Sequence, residues 1–402
     1  MTTSQIEHLA PLNVKTVPII VLLVDDEAIV GESIKKLLEE DRDIQFHFCM
    51  DPSKAVSMAN EIHPTVILQD LVMPDIDGLM LIKYFRANPS TTDVPIILLS
   101  MKEDLGTKAE AFVSGATDYI VKLPNKIELV ARIRHHSSSY TRLLQRNDAY
   151  DKLAESQRML QEDLAEAAKY VKSLLPAHLT GKIHTITEYI PSTILGGDAF
   201  GYHWLDNDHF AFYLFDVCGH GVGAALLSIS IMNVLRSQTL LNTNYYEPAS
   251  VFAALNENFL MENHNDKFFT MWYGIFCCST REILYSNGGH PPPLLITGPT
   301  AKEAQAYELK SGGIFLGVVS GMTFEQNKIT VDQYNRLYLF SDGAYELKKP
   351  SGELVSYQKF ITFLKTLPDD DRDIEKILQF GKRAMGHSNF ADDFSLMKLV
   401  FN

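Results

Sequence analysis

Five polar residues in the first third of the chain each follow or close an apolar or strand-like run. They are Asp25 and Asp26 after 18–24, Asp70 after 65–69, Ser100 after 95–99, and Lys122 after 118–121. Buried parallel strands read as continuous apolar runs, and ligands of open α/β sheets bind beyond the carboxyl ends of such strands. We therefore expect the five side chains to meet at one edge of a single sheet.

These residue types could support the phosphorylation of an aspartate. Crowded carboxylates raise each other's pKa values unless a cation joins them, and Mg²⁺ is a hard ion that prefers carboxylate and water oxygens. With Mg²⁺ bound by Asp25, Asp26 and Asp70, the Asp70 carboxylate could attack a phosphoryl group and form an acyl phosphate. Lys122 would neutralise the added oxygens, and the Ser100 hydroxyl would donate a hydrogen bond to one of them. The alternative is an inert α/β domain whose acidic strand ends are only solvated.

Residues 17–140 resemble the receiver domain of bacterial response regulators. The resemblance rests on the Asp-Asp-Glu start, the stretch Asp-x-x-Met-Pro-x-x-Asp-Gly from Asp70, and the Ser and Lys at strand ends. It implies a flavodoxin-like, doubly wound, five-stranded parallel sheet, a sensor histidine kinase as phosphoryl donor, and Tyr119 at the aromatic switch position. One departure is Lys-Leu-Pro from Lys122, where most receivers have Lys-Pro. We expect it to change the local shape and to leave the chemistry intact.

The composition limits the classes of protein. A chain of 402 residues with 46% hydrophobic residues predicts two or three domains with full cores. The net charge of −14 and the pI near 5.4 argue against a nucleic-acid-binding output, which usually has a basic patch. The four cysteines lack Cys-x-x-Cys spacing, so the sequence implies neither a zinc site nor a disulfide framework. No apolar run reaches membrane-span length and no signal peptide is apparent. We predict a cytoplasmic protein with a flexible leader at 1–16 and no membrane or nucleic-acid partner.

A heptad pattern marks the segment 141–176. Its apolar members are Leu143, Tyr150, Leu153, Leu160, Leu164, Ala167, Val171 and Leu174. A seam over several heptads is typical of a coiled coil, and polar seam residues, here Arg146 and Gln157, can set its register. We predict a helical coiled-coil linker that ends at Pro176 and makes the chain a homodimer. The alternative is an amphipathic helix that lies on its own domains.

Acidic residues beside glycines or strand ends stand out in the second half of the chain. They are Asp198 after Gly196-Gly197, Asp216 before Val-Cys-Gly-His-Gly, Asp342 in Phe-Ser-Asp-Gly, and Asp392-Asp393 before the last strand-like run. Glycines permit close backbone approach, as a metal or phosphate site requires, and carboxylate and water oxygens suit Mg²⁺ or Mn²⁺. Two such ions could share Asp216, hold a bridging hydroxide and clamp the phosphoryl oxygens during in-line attack.

Short strand-like runs and helices alternate around these acidic positions. The predicted strands are 209–215, 268–277, 282–286, 336–340 and 394–400, and the predicted helices are about 222–240, 248–262, 357–366 and 372–385. Strands grouped with inserted helices suggest an α+β sandwich of two sheets flanked by helices. We assign this domain to residues 177–402.

The motifs from about 170 to 402 resemble the PP2C superfamily of metal-dependent serine/threonine phosphatases, in its bacterial SpoIIE/RsbU branch. They are Leu-Leu-Pro (174–176), Gly-Gly-Asp (196–198), Asp-Val-Cys-Gly-His-Gly-Val-Gly-Ala-Ala-Leu (216–226), Asn-Gly-Gly-His-Pro-Pro (287–292), Gly-Ile-Phe-Leu-Gly (313–317), Ser-Asp-Gly-Ala-Tyr-Glu (341–346) and Asp-Asp-Phe-Ser (392–395). The resemblance implies one Mn²⁺ or Mg²⁺ bound by Asp198 and Asp216. It implies a second ion bound by Asp216, Asp342, Asp392 and the backbone carbonyl of Val217.

The same resemblance implies a substrate and a pathway. In that family the substrate is usually a phosphorylated STAS-type anti-sigma-factor antagonist in a partner-switching pathway. We therefore expect phosphorylation of Asp70 to control the dephosphorylation of such an antagonist by the second domain. One departure is Gly201, which stands where many members have the second acidic residue of Gly-Gly-Asp-x-x-Asp. We expect the two-metal core to survive, with any role of that carboxylate in substrate or extra-metal binding lost. The alternative is a receiver-controlled adaptor whose inactive phosphatase-like domain binds a regulator without hydrolysis.

Two further interpretations are weaker. Gly-Gly-Asp-Ala-Phe (196–200) is similar to the signature of diguanylate cyclases, but Ala199 replaces its second glutamate. The motif also follows the linker too closely for the part of a cyclase domain that should precede it. His220 and His290 lie in glycine-rich turns where they could act as acid–base groups, but we favour hydrogen bonds that hold each loop.

Overall fold

The computed structural model describes residues 18–74, 76–101, 105–122, 124–368, 370 and 372–402. The chain divides into two compact units, Met1–Gln157 and Arg158–Asn402. The predicted leader at 1–16 lies outside the described residues, as does Leu123 of the Lys-Leu-Pro departure. None of the described helices combines the length and the apolar character that crossing a membrane requires.

The first unit contains a five-stranded parallel sheet in the order β2-β1-β3-β4-β5. Its strands are β1 (Ile19–Val24), β2 (Ile44–Cys49), β3 (Val66–Asp70), β4 (Ile96–Ser100) and β5 (Asp118–Val121). Its helices are α1 (Ala28–Leu38), α2 (Ala55–Ile62), α3 (Gly78–Ala87), α4 (Leu105–Ser114) and the first part of α5 (Lys126–Leu174). The predicted doubly wound sheet is confirmed, and its order changes direction between β1 and β3.

Both faces of this sheet are covered, which is why its strands read as unbroken apolar runs. On β1, Leu22 and Val24 belong to one buried cluster, together with residues of α2 and α3. Val21 and Leu23 belong to a second buried cluster, together with residues of α1 and α5. At the carboxyl ends of β1, β3 and β4, the polar residues Asp25, Asp70 and Ser100 follow or close these apolar runs.

Helix α5 continues well beyond the sheet. It runs for 49 residues, so the predicted domain boundary at 140 falls inside it and the boundary at 176 lies two residues past its end. Along the predicted seam, Tyr150, Leu153 and Leu160 are each more than half exposed, at 63, 54 and 60%. These exposed apolar side chains are compatible with a coiled coil, and both the coiled coil and the homodimer stay predictions.

The second unit contains two antiparallel sheets. Sheet I has the order β13-β10-β9-β8-β7, and sheet II has the order β12-β11-β14-β15-β6. The strands are β6 (Ile183–Ile190), β7 (Asp198–Trp204), β8 (His209–Val217), β9 (Phe269–Cys277), β10 (Glu282–Gly288), β11 (Leu294–Gly298), β12 (Gln305–Glu308), β13 (Asn327–Thr330), β14 (Tyr334–Phe340) and β15 (Phe394–Phe401). The helices are α6 (Val222–Arg236), α7 (Pro248–Asn258), α8 (Tyr357–Thr366) and α9 (Asp373–Met385).

Alternation along β8 explains the layers of this unit. Phe210, Phe212 and Leu214 belong to the cluster that also contains residues of sheet II. Their neighbours Tyr213 and Phe215 belong to a separate cluster with residues of α6 and α7. A third cluster joins the outer face of sheet II to α8 and α9. The unit is therefore a sandwich of two sheets with helices on both outer faces, as predicted.

Some element boundaries differ from the prediction. Helix α6 ends at Arg236 rather than 240, because Gln238 adopts a left-handed φ of 51° that ends the helical path. Helix α7 ends at Asn258 rather than 262. Strands β6, β7, β11, β12 and β13 were not predicted, since their sequences lack a long apolar run.

Candidate functional sites

The first candidate site lies at the carboxyl edge of the parallel sheet. Asp25 directly follows β1, and Asp70 and Ser100 are the last residues of β3 and β4. Lys122 directly follows β5, and its backbone N–H donates to the carbonyl of Ser100. The structure thus places these residues at one edge, beside the change of direction between β1 and β3.

A buried lysine links two carboxylates of this site. The Lys122 ammonium lies 3.1 Å from Oδ2 of Asp25 and 2.9 Å from Oδ2 of Asp70. The three side chains are at most 5% exposed. The backbone N–H of Glu27 donates to Oδ1 of Asp25 at 2.9 Å, which fixes that carboxylate. Oxygen atoms of Asp25, Asp26 and Asp70 all lie within 4.8 Å of one another.

The electrostatics of this site favour a divalent cation. Burial raises the pKa values of Asp25 and Asp70, and their hydrogen bonds to Lys122 offset this only in part. Burial alone would lower the pKa of Lys122, but its bonds to Asp70 and Asp25 raise the pKa overall. One ammonium against three carboxylates leaves two uncompensated negative charges. This donor set of carboxylate oxygens therefore fits one Mg²⁺.

Two further residues of this region were singled out from the sequence. Ser100 is buried at 6% exposure at the end of β4, one residue after Leu99, which is the partner of Asp70 on β3. Tyr119, predicted at the switch position, is 4% exposed, and the Lys108 ammonium lies 5.6 Å from its ring centroid. The Tyr119 ring is therefore directed into the protein in this structure.

The second candidate site is assembled from both sheets of the sandwich. In sheet I, Asp198 at the start of β7 pairs with Asp216 near the end of β8, and Asp216 pairs with Thr270 on β9. In sheet II, Asp342 follows β14 and Asp392 precedes β15, two strands that are paired with each other. Strand ends of two sheets thus bring together carboxylates that are far apart in sequence.

Asp198, Asp216 and Asp342 of the second site have raised pKa values. Asp198 is 4% exposed, and neither of its oxygens has a hydrogen bond of normal distance and angle within the described residues, although the side chains of Ser395 and Ser341 lie near enough to lower its pKa in part. Burial and then the charge of Asp216 raise the pKa of Asp198 well above its usual range. Burial, followed by the charges of Asp342 and Asp392, raises the pKa of Asp216 to about 8. Burial, followed by the charges of Asp392 and Glu346, raises the pKa of Asp342 to about 6.

Among the residues that the structure describes, no basic side chain offsets these charges. In the part of the chain that the structure describes, no basic side chain forms a salt bridge with Asp198, Asp216, Asp342 or Asp392. A buried carboxylate is costly unless it is paired or binds a metal. The orphaned oxygens of Asp198 and the crowding around Asp216 therefore fit divalent cations with oxygen ligands.

Asp393 has a different role from its neighbour Asp392. Asp393 is 3% exposed, and its carboxylate accepts hydrogen bonds from the backbone N–H of Ser192 at 2.7 Å and that of Gly197 at 2.6 Å. A Cβ atom at Gly196 would collide with this carboxylate. Asp393 therefore holds the segment before β7 in place, whereas Asp392 is exposed and free of that task.

Gly197 allows the backbone carbonyl of Val217 to lie close to the segment before Asp198. A Cβ atom at Gly197 would collide with the carbonyl oxygen of Val217, the residue after Asp216. The loop that follows contains Gly219 and Gly221 with φ values of 86° and 84°, which side chains rarely adopt. The carbonyl of Val217 thus lies against the Gly-Gly segment, and its role as a metal ligand stays a prediction.

A cavity of about 380 Å³ opens beside these carboxylates. Its lining includes Asp216, Thr270, His290, Phe315, Asp342 and Glu346. Thr270, Phe315 and Glu346 were not predicted as site residues. Glu346 lies in the motif at 341–346 and Phe315 in the motif at 313–317. The fold, which the motifs do not reveal, places these two residues and Thr270 in the cavity wall.

The two histidines are placed differently. His290 is 3% exposed, its Nδ1 lies 2.9 Å from the Thr270 hydroxyl, and its backbone N–H donates to the Asn287 side chain at 2.8 Å. Burial lowers the pKa of His290 to about 3, so the ring is neutral at physiological pH. His220 is exposed and does not line the cavity. The hydrogen bonds of His290 agree with a loop-holding role.

Position 201 faces away from the carboxylates. A Cβ atom at Gly201 would collide with the hydroxyl of Tyr213, which packs in the helix-facing cluster behind sheet I. Strand side chains alternate between faces, so positions 198 and 201 lie on opposite sides of β7. An acidic side chain at 201 would therefore point away from Asp198. For this reason, the lack of an acidic residue at 201 leaves the carboxylate cluster intact.

Comparisons with known proteins agree with both halves of the fold. Residues 21–134 match the family model of the response regulator receiver domain, and residues 206–402 match that of stage II sporulation protein E, SpoIIE. The chain is 33% identical over 114 residues to the phosphate regulon transcriptional regulatory protein PhoB of Escherichia coli, which covers 28% of this chain and 49% of PhoB. The chain thus spans about half the length of this curated relative.

A further relative and a solved structure extend these findings. The chain is 26% identical over 193 residues to the DNA-binding dual master transcriptional regulator RpaA of Synechocystis, covering 46% of this chain and 76% of RpaA. The SiaA-PP2C domain of Pseudomonas aeruginosa aligns with a TM-score of 0.53 and 16% identity, covering 62% of this chain and 100% of that one. The chain therefore joins a region that matches the receiver-domain family model to a region that matches the SpoIIE family model and has the fold of the SiaA-PP2C domain.

Proposed function

We propose that this chain is a two-component response regulator in which phosphorylation of Asp70 controls a metal-dependent protein serine/threonine phosphatase at 177–402. The observation that carries the proposal is the second site. Buried Asp198 and half-buried Asp216 and Asp342 have raised pKa values and no basic partner among the described residues, and the last two line a cavity of about 380 Å³. Such a site is suited to divalent ions and to a phosphorylated side chain that enters the cavity.

The residues of the second site take separate roles in this proposal. Asp198 and Asp216 would hold one Mn²⁺ or Mg²⁺, and Asp216, Asp342, Asp392 and the carbonyl of Val217 would hold the other. Bound there, the ions supply Lewis acidity and lower the pKa of the attacking water. Asp393 fixes the segment that carries Asp198, and neutral His290 fixes the cavity wall through Thr270.

The receiver supplies the regulatory input. A sensor histidine kinase donates a phosphoryl group to Asp70, whose carboxylate is the nucleophile beside Asp25 and Asp26. Lys122, already 2.9 Å from Asp70, compensates the added charge, and Ser100 donates a hydrogen bond to a phosphoryl oxygen. Mg²⁺ on the three carboxylates supplies the remaining positive charge.

The proposed substrate is a serine- or threonine-phosphorylated STAS-type anti-sigma-factor antagonist of a partner-switching pathway. The match of 206–402 to the SpoIIE family model supports this class of substrate. A homodimer through the coiled-coil linker would carry the signal from the receiver to the phosphatase. The exposed apolar seam of α5 supports that step.

The decisive experiment measures phosphate release by the full chain with Mn²⁺ from a Ser-phosphorylated STAS partner. Beryllofluoride serves as the phosphoryl mimic on Asp70. Asp216→Asn removes a ligand shared by both ions. The matched control is Asp332→Asn, because Asp332 is exposed and precedes the start of β14, whereas the site residue Asp342 follows the end of β14. We expect the native chain to release phosphate at a rate that beryllofluoride changes. Asp216→Asn should abolish this release, and Asp332→Asn should preserve it.

The adaptor alternative gives a different result in the same experiment. If the native chain binds the phosphorylated partner tightly and releases no phosphate with or without beryllofluoride, the phosphatase proposal is wrong. In that case the second domain is a binding module under receiver control.

A further inference from the structure

We propose that Asp208, His209 and Cys277 form a Zn²⁺ site at the end of sheet I that lies opposite the carboxylate cluster. This site is independent of the proposed phosphatase activity. One ligand atom from each of the three residues lies within 4.8 Å of the other two, and all three side chains are half-buried.

The pairing of two strands brings the donors together. His209 begins β8, Cys277 ends β9, and the two residues are direct partners in the antiparallel register. Asp208 lies in the turn just before β8, and its carbonyl accepts from the N–H of Cys278. The Cys277 sulfur is 3.4 Å from Oδ2 of Asp208, close to the separation of about 3.5 Å that two ligands of a tetrahedral zinc ion have.

The chemistry of the donors selects the ion. A thiolate, an imidazole and a carboxylate together suit Zn²⁺, whereas sites of oxygen ligands alone suit Mg²⁺, Ca²⁺ or Mn²⁺. Three protein ligands leave a fourth tetrahedral position for water or for another group. This mixed donor set distinguishes the cluster from the all-carboxylate sites of the two domains.

A neighbouring carboxylate restricts the orientation of the His209 ring. Nδ1 of His209 lies 3.1 and 3.0 Å from the two carboxylate oxygens of Asp206. A carboxylate on one ring nitrogen fixes the tautomer that leaves the other nitrogen for the metal. Nε2 of His209 has no hydrogen-bond partner in the portion of the chain that the structure describes.

Asp208 and Asp206 are held in turn by other groups. The backbone N–H and the hydroxyl of Ser279 donate to Asp208 at 2.9 and 2.6 Å. The hydroxyl of Tyr246 donates to Asp206 at 3.2 Å. These bonds restrict the motion of both carboxylates before an ion binds. The entropy cost of ordering them on binding is therefore lower.

Zinc binding at this site exchanges a proton for a metal bond. In the metal-free protein the Cys277 thiol donates its hydrogen to Asp208. On binding, the S–H bond breaks, the proton leaves to solvent, and the sulfur and one Asp208 oxygen each form a bond to Zn²⁺. Because a thiolate is needed, the affinity must rise with pH.

The site is separate from the proposed catalytic metals. Asp216 lies seven residues after His209 on the same strand, which at 3.3 Å per residue is a distance of about 23 Å. The sequence has no zinc-binding pattern here because the ligands come from two strands and the cysteines lack Cys-x-x-Cys spacing. The two kinds of metal site can therefore be probed one at a time.

Co²⁺ is the probe for the first experiment, because it replaces Zn²⁺ and gives a near-ultraviolet charge-transfer band when a thiolate binds it. We expect the full-length chain to show this band, saturating at one equivalent. Cys277→Ser should abolish the band, and Asp206→Asn should weaken Co²⁺ binding about 10–100-fold through loss of ring orientation. Cys278→Ser, a change at the adjacent cysteine, and Asp216→Asn, at the catalytic cluster, should leave the band intact.

The proposal is wrong if saturating Co²⁺ gives no thiolate band, or if Cys277→Ser keeps the band of the native chain. Cys218→Ser separates this site from a thiolate near Asp216, and loss of the band in that variant would also overturn the proposal. His209→Ala supplies a second test that does not alter the thiol. We expect it to lower the affinity for Zn²⁺ at least about tenfold in competition with a chromophoric chelator.

Discussion

The two acidic sites of this chain solve the same electrostatic problem in different ways. In the receiver, the ammonium of Lys122 lies within 3.1 Å of Asp25 and Asp70 and is part of the fold. In the phosphatase-like domain, no basic side chain among the described residues pairs with the clustered carboxylates, and the pKa of Asp216 rises to about 8. The receiver site is therefore partly compensated without metal, whereas the charges of the second site have no such partner among the described residues.

The origin of the carboxylates differs as well. The receiver site uses neighbouring strand ends of one parallel sheet, a geometry that the order β2-β1-β3-β4-β5 fixes. The second site uses strands from two sheets, so its geometry depends on how sheet I packs on sheet II. A site of this kind should be more sensitive to metal removal and to changes in the sandwich.

The largest expected effect tests whether the second site depends on its shared ligand. Asp216→Asn should lower kcat for phosphate release on the order of 10³-fold, because a catalytic ion supplies several kcal/mol and each 1.36 kcal/mol is tenfold in rate. Steady-state phosphate release with Mn²⁺ measures the change, with Asp332→Asn as control. Retention of more than about a tenth of the native rate would contradict the assigned role.

Removing the lysine from the receiver should make the two sites alike. Lys122→Met leaves two buried carboxylates unpaired, so we expect the first unit to lose about 3 kcal/mol of stability in EDTA. Mg²⁺ should restore more stability to the variant than it adds to the native chain. Hydrogen exchange of the β1 and β3 amides measures this, with Lys126→Met, a change at an exposed ion pair, as control. Unchanged exchange in Lys122→Met would show that the lysine does not compensate these carboxylates.

The pH dependence of metal binding should separate the sites further. Asp216 and Asp342, with pKa values of about 8 and about 6 in the metal-free fold, must lose their protons to bind a cation. The Mn²⁺ affinity of the second site should therefore rise at least about tenfold between pH 6 and pH 8. Calorimetric titration at both pH values measures this in the Asp70→Asn variant, which removes a receiver ligand. An affinity independent of pH would mean that these carboxylates are already ionised.

The same raised pKa values determine whether the stability of the metal-free second unit rises or falls with pH. The folded-state pKa of Asp216 lies above its unfolded value near 3.8, so the unfolded chain releases its proton first as pH rises. In EDTA, the second unit should lose stability steadily from about pH 4 to pH 8, and Mn²⁺ should reverse the loss. Thermal unfolding with and without Mn²⁺ measures this, and a rise in metal-free stability over that range would contradict it.

The smallest expected effect concerns Gly201. Since position 201 faces Tyr213 and not the carboxylates, Gly201→Ala should change kcat/KM less than about threefold and act mainly on stability. Phosphate release and thermal unfolding of the variant separate the two effects. A large loss of activity with unchanged thermal stability would mean that the helix-facing side of β7 takes part in catalysis.

Much of the receiver could be predicted from the sequence, because a parallel sheet covered on both faces gives long apolar runs that end at functional residues. The residues at the ends of β1, β3, β4 and β5 were predicted on that basis, and the structure brings them to one edge. The link of one lysine to both Asp25 and Asp70 could not be predicted, since it depends on rotamers and on the depth of the site.

Less of the second domain could be predicted. Antiparallel strands such as β6 and β7 mix polar and apolar residues, so they give no long apolar run, and both were missed. Sequence motifs indicated Asp198, Asp216 and Asp342, but they could barely distinguish Asp392 from Asp393. Burial and hydrogen bonds of Asp393 make that distinction. The cavity wall at Thr270 and Phe315, and the cluster around Cys277, depend on contacts between residues far apart in the chain.

The pairing of β6 with β15 has a consequence for synthesis on the ribosome. The first strand of the sandwich lies beside its last, with Ile183 opposite Phe401, and Asp393 holds the segment that carries Asp198. A nascent chain lacks both the closing strand and this anchor until residues 393–401 have emerged. Contacts between such distant residues form late and slowly. The receiver, whose strands are complete by residue 121, can fold first, so the regulator is in place before the phosphatase-like centre it is proposed to control.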